Sequence, residues 1–177
     1  MKATGVVRRI DELGRIVIPK ELRKNLRIRE GENIEIYMDE NSNIILKKFS
    51  SLKNINEVAD YVTSSINKVT KLNTMIIDSD SVVSYSGNNK KEYINKYISK
   101  YLQNILNEGK NINSENQKEM TELISNKEED MYKVISLIKQ NGDIYGALII
   151  FSLDEEITKE NVQIIDTFSS FLANYIE

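Results

Sequence analysis

The chain has 177 residues, 40% of them hydrophobic, a formal net charge of −3, and neither cysteine nor histidine. Without thiols there is no disulfide, thiolate nucleophile or Cys-ligated zinc, and without imidazole the commonest metal ligand and general base are missing too. No apolar run approaches the roughly 20 residues that span a bilayer and no apolar signal region opens the chain, so a soluble cytoplasmic protein with a sizeable core is expected.

Thr4 to Ile10 reads as a β-strand, Asp11-Glu12-Leu13-Gly14 as a turn in which Gly14 is free to take positive φ, and Arg15 to Ile18 as a second strand. Together they predict a hairpin. Pro19 fits the first position of a helix, where its missing N–H is harmless. That short helix would turn Leu22 and Leu26 inward and Arg23, Lys24 and Arg27 outward, and would end before Gly31. Two further strands, Asn33 to Met38 and Asn43 to Lys48, flank the polar loop Asp39 to Ser42. Four strands and one turn of helix in about fifty residues bury little apolar surface alone, which predicts an obligate dimer.

Charge is divided sharply along the chain. Residues 1–29 hold nine basic groups against three acidic ones, a net of +6, whereas residues 51–177 hold thirteen lysines against nineteen acidic residues, a net of −6. Every arginine lies at or before Arg29. Arginine offers a planar fork that matches phosphates and guanine edges in pairs of hydrogen bonds, so its confinement points to nucleic-acid reading by the N-terminal end. The competing reading is a merely solvated basic surface.

The run from Thr4 to Arg23, with Asp11-Glu12-Leu13-Gly14-Arg15 and Val17-Ile18-Pro19 at their spacing, then Gly31 and Ile44-Ile45-Leu46-Lys47-Lys48, strongly resembles the AbrB family of transition-state regulators. The resemblance covers residues 1 to about 50. It implies a swapped-hairpin β-barrel in which two chains interleave and present basic side chains to double-stranded DNA. Carried over by position, the DNA-contacting residues are Arg8, Arg15, Arg23 and Lys24, where the family usually has a second arginine; Arg9 extends the patch. The whole chain, with its length and a second domain beginning near residue 52, also resembles sporulation regulators of this family, which implies a regulator of sporulation genes, nucleoid-associated in the developing forespore, with a GAF-like second domain over residues 52–177 that joins dimers into tetramers.

The residues support that second domain independently. Ile55, Val58, Ala59, Val62, Ile66 and Val69 form one stripe of a helix over 52–71. Strands at Thr74 to Asp78 and Val82 to Ser86 follow, then a helix over 90–107 marked by Tyr93, Tyr97 and Tyr101 and stopped at Gly109. Lys110 to Asp130 reads as polar and irregular, apart from a short strand at Met120 to Ile124. Tyr132 to Ile138 and Ile144 to Ser152 flank the hairpin turn Asn141-Gly142-Asp143, with Ala147 to Phe151 suited to a central strand. A last helix over 158–176 carries Ile164, Ile165, Phe168, Phe171, Leu172, Tyr175 and Ile176. This order is an α+β sandwich with its first and last helices on one side of the sheet, and their wide stripes could cover a second copy.

Tyr85, Ser86, Tyr93 and Tyr97 are the candidate ligand-pocket residues for an unidentified small-molecule effector, against the plainer reading that tyrosines at helical spacing are packing residues. No cofactor, metal or catalytic residue is expected: no phosphate-cradling glycine loop is present, Ser86 and Lys90 lack any nucleophile elbow, and Asp78, Asp80 and Glu128 to Asp130 read as solvated caps. The rival function is an antitoxin of the swapped-hairpin type, which would share the N-terminal half but end in a disordered, toxin-binding tail.

Overall fold

Gly14 takes φ +76°, its N–H donates to the Asp11 carbonyl at 2.9 Å, and Asp11 N–H donates to the Arg15 carbonyl at 3.0 Å, so the expected turn forms. The computed structural model describes residues 5–176, which leaves Thr4 and Lys2 outside it. The chain divides into two units, Met1–Phe49 and Ser50–Glu177.

In the first unit the described residues flanking the turn form no strands, contrary to the expected hairpin over 4–10 and 15–18. Beyond the Asp11–Arg15 closure no ladder joins the described residues of the two arms, and their Val7 and Val17 side chains face solvent. Val6, Val7, Ile10, Ile16 and Val17 are all exposed, so these arms have no apolar burial to hold a ladder together. Pro19 precedes helix α1 (Lys20–Asn25) rather than starting it, with φ −58° and ψ 148°. Leu26 is exposed and Arg23 half-buried, reversing the expected faces at these two positions, because a helix this short ends before Leu26 can lie over a neighbour. Strands β1 (Ile34–Met38) and β2 (Ile44–Lys48) form the expected antiparallel pair, with Ile36 opposite Leu46 and Met38 opposite Ile44. The Asp39 carboxylate closes their loop by accepting the N–H groups of Asn41 and Asn43, each at 2.9 Å. One face of this ribbon is bare: Ile36, Met38 and Ile44 are 69%, 77% and 71% exposed. Among the described residues of this unit none is buried.

The second unit is a five-stranded antiparallel sheet in the order β4-β3-β7-β6-β5. Its strands are β3 (Asn73–Ile77), β4 (Val82–Ser86), β5 (Ile112–Ile124), β6 (Lys127–Gln140) and β7 (Asp143–Ser152). Helices α2 (Ser51–Asn54) and α3 (Asn56–Thr70) precede it, α4 (Lys90–Tyr93) and α5 (Lys100–Glu108) follow β4, and α6 (Lys159–Ile176) closes the chain. On one face Ala59, Val62 and Ile66 of α3 and Ile165 and Leu172 of α6 pack with Ile76, Leu148 and Ile150. On the other, Tyr93, Leu102 and Ile105 cover Tyr85, Met131, Ile149 and Phe151. β7 lies between β3 and β6 with both faces covered, which is why Ala147 to Phe151 is an unbroken apolar run. Asn141 and Gly142 take φ +53° and +93° in the β6–β7 turn, as an Asn-Gly hairpin requires.

Four local expectations are corrected. The helix over 52–71 breaks at Ile55, whose φ −111° and ψ 33° are not helical: Ser50 caps a short α2, accepting the Lys53 N–H at 3.3 Å, and α3 starts afresh. Val69 is exposed, while Thr63 is buried with its hydroxyl 2.8 Å from that of Ser84. The helix over 90–107 is really α4 and α5: Asn95 turns left-handed at φ +59°, Tyr97 and Ile98 form bridges to Ser81 and Ile124, and Ser99 caps α5. The polar stretch from 110 to 130 is the long β5–β6 hairpin, whose charged residues mostly face solvent, apart from Lys127 and Glu129, which turn toward Tyr93. In α6, Phe171 and Tyr175 point outward and Ser169 and Ala173 inward.

Candidate nucleic-acid interface

The turn, its two arms and α1 carry the five basic residues singled out from the sequence. Arg8 and Arg9 are exposed on the first arm, and an Arg8 terminal nitrogen donates to the Val7 carbonyl at 3.1 Å. Arg15, on the second arm, donates from Nε to Asp11 Oδ2 at 2.8 Å. Asp11 Oδ1 also accepts the N–H groups of Leu13 at 3.0 Å and Arg15 at 2.8 Å. The backbone N–H of Arg15 and then its guanidinium hold the Asp11 carboxyl below its ordinary value, so it stays ionised at neutral pH. Arg23 and Lys24 are consecutive on α1; Lys24 is exposed, whereas Arg23 Nε is shielded from solvent with no hydrogen-bond partner among the described residues. A shielded, unpaired charged donor is costly, by roughly 1–3 kcal/mol or more, unless an acceptor arrives from outside the single chain.

The tyrosine set in the second unit is only half assembled. Tyr85 and Tyr93 stack with ring centres 4.6 Å apart, Phe151 lies 5.5 Å from Tyr93, and the three border a cavity of about 270 Å³ with Asn73, Asn88 and Glu129. Ser86 is on the opposite face of β4, donating to the Thr63 hydroxyl at 3.3 Å, and Tyr97 is exposed, so neither joins them. Lys127 was not singled out from the sequence, and Glu129, expected as a solvated cap, instead lines this cavity. The Tyr93 hydroxyl donates to Glu129 Oε2 at 2.5 Å and accepts from Lys127 Nζ at 2.8 Å; burial, then this carboxylate, pushes the phenol up to about 12. Lys127 also pairs with Glu92 at 2.9 Å and Glu129 at 3.0 Å and lies 4.1 Å from the Tyr93 ring centre. Burial would lower its pKa, but these partners outweigh it and raise it. The spacing of Lys127 and Glu129 puts both on one face of a strand, a signal hidden while the segment read as loop.

Asp78 is a structural cap. Its carboxylate accepts the N–H groups of Asp80 at 2.9 Å and Ser81 at 2.8 Å and pairs with Lys53 at 3.1 Å, and these outweigh burial to keep its pKa low. Among the described residues no helix is long and apolar enough to cross a membrane.

A family model described as stage V sporulation protein T C-terminal, transcription factor, matches residues 54–177. A second, described as antidote-toxin recognition MazE, bacterial antitoxin, matches residues 7–52. Stage V sporulation protein T of Bacillus subtilis (strain 168) is 38% identical over 178 residues, covering 100% of this chain and 99% of the relative. Transition state regulatory protein AbrB of the same strain is 59% identical over 49 residues, 28% of this chain and 50% of the relative. Among solved structures, the GAF domain of the Acinetobacter phosphoenolpyruvate-protein phosphotransferase matches 73% of this chain and 83% of its own with a TM-score of 0.57 at 11% identity, a likeness of fold alone. The second unit is therefore the GAF-like sandwich the sequence implied and the first an AbrB-type domain, and with identity running through both units the chain belongs to the stage V sporulation protein T family.

Proposed function

We propose that the chain is a sequence-specific DNA-binding regulator of sporulation genes, not an enzyme, that grips the double helix as a dimer of residues 1–50. Arg8, Arg9, Arg15, Arg23 and Lys24 from two copies would form one basic face, positioned by phosphate contacts and reading base edges with some of the guanidinium groups. One observation carries this reading: the unit holding every arginine also leaves Val7, Val17, Ile36, Met38 and Ile44 uncovered, so its apolar residues lack the layer that a second copy would supply. The 59% identity to AbrB over this stretch supports it, as does the printed description of the matching C-terminal family as a transcription factor.

The second unit supports two finer roles. Phe168, Phe171 and Tyr175 form an aromatic row along α6, with ring centres 6.5 Å and 5.8 Å apart; Phe171 and Tyr175 face solvent, as do Tyr61 and Val69 of α3. This row suits packing of dimers into a tetramer. The cavity beside Tyr85 and Tyr93 suits a small-molecule effector. The working place would be the cytoplasm, at the nucleoid of the developing forespore.

Anisotropy of a labelled duplex titrated with the full chain tests the central claim. If a dimer engages about eight phosphates, log affinity should fall with log salt at a slope of about −7; a slope shallower than about −2, or an Arg8, Arg15 and Arg23 triple alanine variant that binds unchanged, overturns it. The match to the antitoxin model over residues 7–52 favours a second reading, in which the chain neutralises a toxin. Residues 52–176 pack as a sheet covered on both faces, unlike a disordered toxin-binding tail, and a stoichiometric toxin in pull-downs would be needed to restore that reading.

A further inference from the structure

Asp11 is out of place on a face meant for a polyanion. A carboxylate beside phosphates repels them, and on charge alone its removal should tighten binding to any DNA. Its geometry shows what offsets that cost. Oδ1 is taken up by the Leu13 and Arg15 N–H groups at 3.0 and 2.8 Å, so the carboxylate cannot swing, and Oδ2 accepts Arg15 Nε at 2.8 Å. The bond is made through Nε, the edge of the guanidinium nearest the stem, and the Arg15 side chain remains 70% exposed. Among the described residues the two terminal nitrogens of Arg15 make no hydrogen bond. An otherwise floppy side chain is thus held on a backbone-locked turn with its two-pronged end presented outward. A phosphate can take the fork from many directions, since its oxygens accept all round; a base edge carrying two coplanar acceptors, as guanine does in the major groove, takes it in one alignment.

We infer that Asp11 is a specificity-determining positioning residue, which fixes the Arg15 fork for a two-acceptor base edge and at the same time penalises DNA that offers only phosphates. The inference rests on the DNA-binding reading above. Its consequence runs against simple electrostatics: removing this negative charge should weaken binding to the right sequence while leaving binding to the wrong one equal or stronger.

The test uses the full chain with two duplexes, one selected from a random pool by the unsubstituted protein and one scrambled duplex of the same composition. In Asp11→Asn, Oδ1 still serves the turn, but an NH₂ group replaces the acceptor facing Arg15 Nε, so the clamp alone is lost. Affinity for the selected duplex should drop about tenfold, within what one paired base contact discriminates, with no loss on the scrambled one. Arg15→Lys, which keeps the charge but cannot form the fork, should lower the same ratio, and combining both changes should add little to either. A variant that merely disrupts the turn would weaken both duplexes together. An unchanged ratio in Asp11→Asn or Arg15→Lys, parallel losses on both duplexes, or additive losses in the double variant each overturn the inference. Failure of the unsubstituted chain to bind either duplex would instead sink the DNA-binding reading itself.

Discussion

Lys133 is the sharpest energetic test of the second unit. It is 0% exposed on β6, with its ammonium 2.6 Å from Glu119 Oε2 on the edge strand β5 and the Tyr101 ring centre 5.8 Å away. A buried charge with one ionic partner responds in opposite ways to loss of either member. Glu119→Ala strands the ammonium, which typically costs about 3–5 kcal/mol; because the Glu119 side chain is 42% exposed, water can reach the gap, so about 3 kcal/mol is expected. Lys133→Met removes the charge, keeps an unbranched apolar stem and should be near neutral or stabilising by about 1 kcal/mol. The asymmetry extends to pH. Lys133 holds the Glu119 carboxyl below its ordinary value of 4.5, so its stabilisation is present above the unfolded-state pKa and fades as pH falls through the lower folded value. Urea unfolding of the full chain followed by circular dichroism at pH 7 and pH 4 gives both numbers. A Glu119→Ala cost under about 0.5 kcal/mol, or a larger cost for Lys133→Met than for Glu119→Ala, would refute the reasoning.

Three further outcomes follow from the packing. Any Cβ at Gly146 would meet the Ile77 carbonyl oxygen at 1.9 Å and Leu52 Cδ1 at 2.6 Å, so Gly146→Ala should lose about 1–3 kcal/mol in urea unfolding, and a neutral result would contradict the β3–β7 packing. Ile36→Lys touches nothing buried in a single chain yet should shift the protein to smaller species in light scattering if residues 1–50 dimerise; an unchanged mass counts against dimerisation through that face. The raised Tyr93 phenol stabilises the fold fully below about pH 10 and loses that contribution as pH rises toward about 12. Tyr93→Phe should therefore lose less stability than the unsubstituted chain between pH 9 and 11 in thermal melts, and equal losses would remove Tyr93 from the account.

What was legible in the sequence was local. Asn141-Gly142 names its own turn because few residues adopt positive φ twice running, and Ala147 to Phe151 announces a strand covered on both faces. The failures came where distant partners decide. Tyr93, Tyr97 and Tyr101 recur every four residues as in one helix, but bridges from Tyr97 to Ser81 and from Ile98 to Ile124 draw that stretch into extended backbone. The β5–β6 hairpin hid because a register irregularity between Ser114 and Glu119 destroys the alternation and its lysines and glutamates are solvent-facing or cross-paired. The same blindness split the pocket set: Tyr85 and Ser86 are adjacent in sequence and therefore on opposite faces of β4, whereas Glu129, far along the chain, meets Tyr93. At the candidate interface the arginines were legible as a charge run, while the Asp11 clamp on Arg15 required the turn geometry.

Burial differs so much between the units that association should govern DNA binding. The second unit encloses apolar clusters on both sheet faces, whereas the first buries no described residue, so a DNA-reading face built from two copies would form only as fast and as far as copies meet. Copies already joined through α3 and α6 would hold their N-terminal units at an effective concentration near millimolar, far above that of free chains at nanomolar binding conditions. Phe171 and Tyr175, 45% and 52% exposed on α6, are aromatic side chains that their own unit leaves partly open for such a joint. Phe171→Ser with Tyr175→Ser should cost the second unit no more than about 2 kcal/mol of unfolding free energy, since both rings are only half-buried, yet lower the assembly from tetramer to dimer in light scattering and weaken DNA binding several-fold although no basic residue is touched. Full DNA affinity in a variant shown to be dimeric would separate the two units and end the claim that one governs the other.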